Sequence, residues 1–428
     1  MMNEAPTNNF TDIRQAWEAR GLVASAPTEV QQQALDAFTR QGFPTTRLED
    51  WKYTDTRTLA EKYPQWLTTP ASTTSIQPEL GCTANALQLV FIDGLFSPAL
   101  SASELPDCVF AGSLSELATT HPEAFNNTFG KLAAQSGFVN LNTAFTTDVA
   151  ALVLPDNTEL DTPVYLNFFS STPKSSAQPR LLIEVGKNSR ATVIEHYAGN
   201  VPAIVNTVSE ARCAAGSNLT WYRLQDESLT TSHMSAQFLQ VEQDATVYTT
   251  QIDIGARLAR HELHLKLAGR GAHAECKGLF LADDNRHVDS RINIVHAAPD
   301  TTSRERFRGV LADQARGVFN GRIHVLPEAQ KTSAELTNRN LLLSPGAEIN
   351  TKPELEIYAD DVKCAHGSTT GQLDETSMFY LLSRGIAPQA ARNLLIRAFV
   401  AELLTDMTIP ELREITQEAL AGLGQNHG

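Results

Sequence analysis

Four turn-plus-strand units in the middle of this chain recur at one interval, which narrows the available folds more than any other feature. They occupy residues 186–197, 216–224, 244–251 and 271–278. The equivalent positions Ala191, Asn218, Ala245 and Ala272 are 27 residues apart each time. Each unit follows another alternating run, such as 180–185 or 261–267. A repeat of this length, built of strands and turns, cannot bury its inner face alone, and stacking successive coils supplies the core. The spacing therefore predicts a β-solenoid. A β-sandwich places turns every ~8–12 residues and gives no reason for equal steps.

The repeat sits inside a longer strand region, 85–372, opened by Leu87-Gln88-Leu89-Val90-Phe91-Ile92 and the turn pair Asp93-Gly94. Ahead of it, residues 1–84 read as a helical region. Phe10, Ile13, Trp17 and Leu22 fall at helical spacing, as do Val30, Ala34, Leu35 and Phe38. Thr28 and Gln31 resemble a capping box, and Gly42-Phe43-Pro44 is a stop. Trp51 and Tyr53 are two apart, so an extended chain there puts both on one face, at a seam between regions. Behind the repeat, 373–428 returns to helix. Asp374 is an N-cap candidate, Gly385 a stop, and Pro388 and Pro410 open two further helices. In the first of these, Ala391, Leu394, Leu395, Ala398, Phe399 and Leu403 share one broad face.

Composition removes several function classes. With 34 Lys+Arg against 49 Asp+Glu, the net charge is −15, the wrong sign for wrapping nucleic acid or lying on an anionic membrane. No apolar run reaches the ~18 residues of a membrane span; the most apolar stretch, 394–404, is broken by Arg397 and Glu402. Cys82, Cys108, Cys213, Cys276 and Cys364 are odd in number and form no C-x-x-C pair. The first residues carry neither a basic nor an apolar leader segment. The expectation is a reduced, cytoplasmic chain.

Common catalytic signatures are missing. No G-x-x-x-x-G-K-[ST] loop cradles nucleotide phosphates, and no G-x-S-x-G elbow presents a serine. Gly269-Arg270-Gly271 lacks the rest of a dinucleotide fingerprint. His261-Glu262-Leu263-His264 is one residue short of H-E-x-x-H, and on a strand its histidines face opposite ways. Asp283-Asp284 and Asp360-Asp361 sit in turns, where solvated carboxylates are ordinary. A carbohydrate-active solenoid, the rival reading, needs acids aligned in successive coils, and the aligned positions above carry none.

The stretch 352–367 is different. If it is extended, Cys364 and His366 share a face, followed by a turn at Gly367-Ser368. Thiolate and imidazole together make a bidentate pair for iron or zinc. Two ligands do not complete a site, because clusters and structural zinc take about four. Spacing alone leaves three readings open: structural core, half of a metal site completed by another chain, or a nucleophilic Cys–His pair. The last is weakened because Lys363 points to the opposite face and Asp360 raises the thiol pKa.

Tyr358-Ala359-Asp360-Asp361-Val362-Lys363-Cys364-Ala365-His366-Gly367, with Gly371, Phe379-Tyr380-Leu381 and Ser383-Arg384-Gly385-Ile386, resembles the SufB/SufD family of iron–sulfur cluster assembly proteins. Glu49-Asp50-Trp51-Lys52-Tyr53-Thr54, Phe91-Ile92-Asp93-Gly94 and Val318-Phe319-Asn320-Gly321 are similar to its SufD branch. The added cysteine-rich stretch usual in SufB is missing. The resemblance implies a right-handed parallel β-helix between N- and C-terminal helical regions, paired through its C-terminal end with a SufB-like paralogue. It also implies a SufC-like ABC ATPase that binds the nucleotide this chain does not, docked on the C-terminal helices. Met378, Tyr380, Arg384, Leu395 and Phe399 are the corresponding docking candidates. His366, with Cys364 beside it, is implied to contribute to a transient iron–sulfur cluster shared with the partner. A homodimer through the same edge is the expectation for the isolated chain.

Overall fold

The structure is a computed structural model that describes residues 9–21, 29–69 and 86–424. Leu22, Thr28, Cys82 and the expected boundary at 84–85 lie outside the described residues, as does the side chain of Phe10. Two ten-stranded sheets face each other, and the chain alternates between them from Asp148 onward, so that neighbours within a sheet are parallel. This is a parallel β-solenoid. The first sheet ends in the strands Thr302–Leu311, Ser333–Leu342 and Lys363–Gly371, and the second in Arg316–Val325 and Glu348–Ile357.

The coils are not of equal length. Arg190 pairs with Asn218, Asn218 with Thr246, Thr246 with His273, His273 with Thr302, and Thr302 with Ser333. The true partner of Ala191 is therefore Leu219 and not Asn218, and Asn218 aligns with Thr246 and not Ala245. Turn length is the reason. One series of turns grows from residues 214–217 to residues 326–332, so a constant interval drifts against the strand register. Backbone conformation marks these turns: Asn188, Gly216, Asp244, Gly271, Asp300 and Lys331 all have φ between 54° and 72°. Glycine takes that left-handed region without steric cost, and Asn and Asp tolerate it.

Alternation decides what faces inward. Ala191, Leu219, Val247 and Ala274 form one column of the apolar core, and Phe280, Phe307 and Phe319 fill other positions of the same core. Each large side chain sealed there contributes roughly 1.5–3 kcal/mol. Three short helices within the expected strand region (Leu114–Thr120, Pro122–Thr128 and Gly137–Phe145) pack on the early coils.

Helices cover both outer faces. Ile13, Leu35, Phe38, Tyr63, Trp66 and Phe138 cluster against Ile204 and Met234 of the second sheet. Gln31 bonds the carbonyls of Ala144 and Thr146, so it serves a tertiary seam. Residues 49–51 form a short 3-10 helix and not a strand, which separates the two aromatics: Trp51 is buried and Tyr53 exposed. The Arg260 guanidinium lies 3.6 Å from the Trp51 ring centroid. Across the first sheet lie helices Pro388–Thr405 and Pro410–Gly422. Ala391, Ile396, Val400, Leu403 and Leu404 are the buried positions of the former. Leu394 and Ala398 are exposed, so the packing face is rotated from the one expected. The Asp374 side chain does cap its helix, accepting from the Ser377 amide at 2.7 Å.

Candidate functional site

At the C-terminal end of the solenoid the stacking stops, with no further strand on it among the described residues. Among the described residues, Lys363–Gly371 pairs only with Ser333–Leu342 and Glu348–Ile357 only with Arg316–Val325, so each is the last strand of its sheet there. No residue of helix Glu375–Ser383 beside it is buried. Phe379 is 73% exposed, Tyr358 61% and Tyr380 56%. Unpaired strand edges with exposed aromatics invite pairing with another chain.

Cys364 and His366 stand on this end. They are in register with Ala334 and Leu336, both of which point into the core, so the pair continues the inner face. Cys364 is half-buried against the core and His366 is exposed. The shared face read from the sequence is present, in a continuous strand; Gly367 and Ser368 are part of it and form no turn. Burial pushes the Cys364 thiol above its ordinary range, and the neighbouring carboxyl that adds to this is Glu305 rather than Asp360. A raised thiol is a poor nucleophile without an activating base.

Around the pair the inner face is polar. Thr351 Oγ donates to Asn338 Oδ1 at 3.0 Å and lies 3.0 Å from Ser368 Oγ; Asn340 donates to Asn338 Oδ1 at 2.6 Å. Among the described residues, no three His, Cys, Asp or Glu side chains are grouped so as to hold a metal ion. A soft thiol and an imidazole fit iron chemistry as donors, but only as part of a coordination shell. Of the other cysteines in the described residues, Cys213 and Cys276 are sealed in the core and Cys108 lies near the opposite end.

The docking candidates divide. Tyr380 and Arg384 are exposed and stack, guanidinium to ring centroid 5.2 Å. Met378 and Leu395 are half-buried, and Phe399 packs on the cluster under the helices, with Arg308 5.9 Å from its ring centroid. Glu402 on the same helix accepts from Arg306 at 2.6 Å and Arg308 at 2.9 Å, tying the helix to the strand Thr302–Leu311.

Sequence reading missed a second set of polar groups, inside the solenoid. Arg223 pairs with Asp253 at 2.6 Å and reaches His233 at 2.8 Å, which in turn contacts Glu227 at 2.7 Å. Glu195 accepts from Trp221 at 2.9 Å, Ser209 at 3.0 Å and Tyr197 at 2.6 Å. Only register, which a single sequence leaves open, brings these residues together.

Comparison with known proteins agrees with this architecture. The model for "SUF system FeS cluster assembly, SufBD core domain" matches residues 168–399, and that for "SufBD protein N-terminal region" matches 14–166. An iron-sulfur cluster assembly SufBD family protein of Synechocystis is 32% identical, over 93% of this chain and 92% of its own length. The iron-sulfur cluster assembly protein SufD of Escherichia coli is 31% identical over 97% of each chain. A chloroplastic protein of Arabidopsis thaliana, ABCI7, is 27% identical over 89% of this chain and 82% of its own length. With half of its length inside the core model and near-complete alignment to SufD, the chain belongs to the SufB/SufD family of iron–sulfur cluster assembly proteins and is of the SufD type.

Proposed function

We propose that this chain is a non-catalytic scaffold subunit, working in the cytoplasm, on which iron–sulfur clusters are put together and then passed on. The carrying observation is the open end: two terminal strands have a free edge among the described residues, and one of them carries an inward-facing Cys364–His366 pair that no third donor among those residues completes. A SufB-like paralogue docked edge to edge would satisfy the strands and supply the remaining ligands to a cluster held as cargo. The exposed Tyr380 and Arg384, with Met378, Leu395 and Phe399 behind them, would engage a SufC-like ABC ATPase. Its movement would reach the site through Glu402, because Arg306 and Arg308 belong to a strand two places from Cys364 and His366 in the sheet. No helix among the described residues is long and apolar enough to cross a membrane.

Coexpression with SufB- and SufC-type partners tests this reading. His366→Ala should leave the complex mass unchanged while lowering cluster yield, followed by anaerobic ultraviolet–visible absorbance. Undiminished yield with His366→Ala rejects the assigned role of the histidine.

A further inference from the structure

Three columns of polar side chains run along the lumen, and each is broken at the same level by one phenylalanine. In the first sheet, Arg223 and Gln251 lead in register to Gly278 and Phe307, and beyond them to Asn338. Beside this column, Gln225 and Asp253 lead to Phe280 and Gly309, and then to Asn340. Facing them in the second sheet, His261 and Ser290 lead to Phe319, and then to Thr351. On the inner side of the break the columns are cross-linked: Gln251 Nε2 donates to Ser290 Oγ at 2.7 Å, and Arg223 Nε to Ser235 Oγ at 3.2 Å. On the outer side a separate network joins Asn338, Asn340, Thr351 and Ser368.

Polar walls of this kind hold water in files wherever there is room, because each water finds about two to four partners. The phenylalanines take that room. A methyl added at Gly278 would overlap the ring of Phe307, and one at Gly309 the ring of Phe280, so each ring fills the space that a neighbouring strand leaves open. The Phe307 and Phe319 ring centroids are 5.0 Å apart, and all three rings are fully buried. Leu336 closes the next column, between Glu305 and His366. Toward the other end Phe168 stacks on Tyr197, ring centroids 5.0 Å apart. We propose that Phe280, Phe307 and Phe319 are a partition that stops water and small ions from passing along the lumen. The Arg223–Asp253 ion pair then lies in a dry chamber, where its attraction is not weakened by water. The open end is a blind cup, so whatever is put together there enters and leaves by the rim. This rests on the fold alone and does not require Cys364 and His366 to hold a cluster.

Trp221 reports on the chamber, since its indole Nε1–H donates to Glu195 Oε1 at 2.9 Å. The full chain, isotope-labelled at its tryptophan nitrogens, is moved into heavy water, and the loss of that indole proton is followed by NMR. In the wild-type chain the proton should exchange only through global unfolding, so its rate should rise with denaturant as the slowest backbone amides do. Fast exchange that ignores denaturant overturns the partition, and this measurement stands even if a variant fails to fold. Phe307→Ala removes the ring from the first column and leaves a water-sized opening between Gln251 and Asn338. Phe38→Ala is the control, because Phe38 is equally buried but lies on the helix Glu29–Gln41, outside the lumen. Compared at matched global stability, Phe307→Ala should exchange the Trp221 proton about tenfold faster than Phe38→Ala, through water entering from the open end. Equal rates in the two variants overturn the proposal.

Discussion

The middle of the solenoid and its last coil share one backbone geometry and one alternation, yet polar residues on their inner faces have opposite surroundings. In the middle, Arg223, Asp253, Glu227 and His233 are sealed and satisfied by one another. At the end, His366 is exposed, Cys364 is half-covered, and Thr351 and Ser368 are only half-buried over the sealed Asn338. Position in the stack, rather than residue type, decides whether an inward polar side chain is sealed or left open to solvent.

The largest effect should come from the sealed half. Arg223→Ala removes the cationic partner of Asp253 inside the lumen, a loss of about 3–5 kcal/mol. His366→Ala, at the open half, should stay within about 0.5 kcal/mol of wild type, as surface changes do. Chemical denaturation measures both; a loss below ~1 kcal/mol for Arg223→Ala would mean that the middle is wetter than its packing indicates.

Glu305 sits where the halves meet, and it gives the comparison a pH dependence. Burial lifts its carboxyl from the ordinary 4.5 to about 8. Between those values the folded chain keeps a proton that the unfolded chain gives up. Raising pH through that window therefore favours unfolding, and the stability lost by pH 8 is on the order of 2–4 kcal/mol. Glu305→Gln should flatten this slope in denaturation curves taken from pH 5 to 8. An unchanged slope would assign the pH dependence to other groups.

Glycines offer a matched test of packing. A methyl on Gly309 would overlap the ring of Phe280, while one on Gly367 meets nothing within 4 Å. Gly309→Ala should cost about 1–3 kcal/mol through overpacking. Gly367→Ala should leave the isolated chain's thermal midpoint unchanged. If it weakens pairing with a SufB-type partner, the open face is the contacted one.

Much of this contrast could be read from residue order, and some of it could not. Strand alternation and turn residues announced stacked coils, because inner positions must be apolar at a period of two and turns must accept φ > 0. Cys364 and His366 were visible because their spacing along one strand is local. The register was not: turns of differing length slide Ala191 against Leu219, and a 27-residue interval hides that slip. The Arg223–Asp253 pair and Glu305 escaped for the same reason, since their neighbours lie a whole coil away. Trp51 and Tyr53 were misjudged because a short helical turn replaced the strand that would have put them on one face. On helix Pro388–Thr405, apolar residues nearly surround the axis, so pattern alone could not choose which stripe meets the sheet.

The smallest expected effect isolates what burial does to an ion pair. Arg306 Nη1 and Glu402 Oε1 are 2.6 Å apart, the same separation as Arg223 Nη1 and Asp253 Oδ1. The side chains of the first pair are 19% and 49% exposed, and those of the second are each 1% exposed. Bonds from Arg306, helped by the charge of Arg308, hold the Glu402 carboxyl below its ordinary range. Water and salt screen this gain, so Glu402→Gln should cost about 0–1 kcal/mol and less at high ionic strength. Arg223→Ala should keep its full cost at the same salt, because counterions do not enter the lumen. A large, salt-insensitive loss for Glu402→Gln would mean that the helix and the strand Thr302–Leu311 are locked as one body. The C-terminal helices would then carry motion to the open end as a rigid lever, without slipping over the sheet.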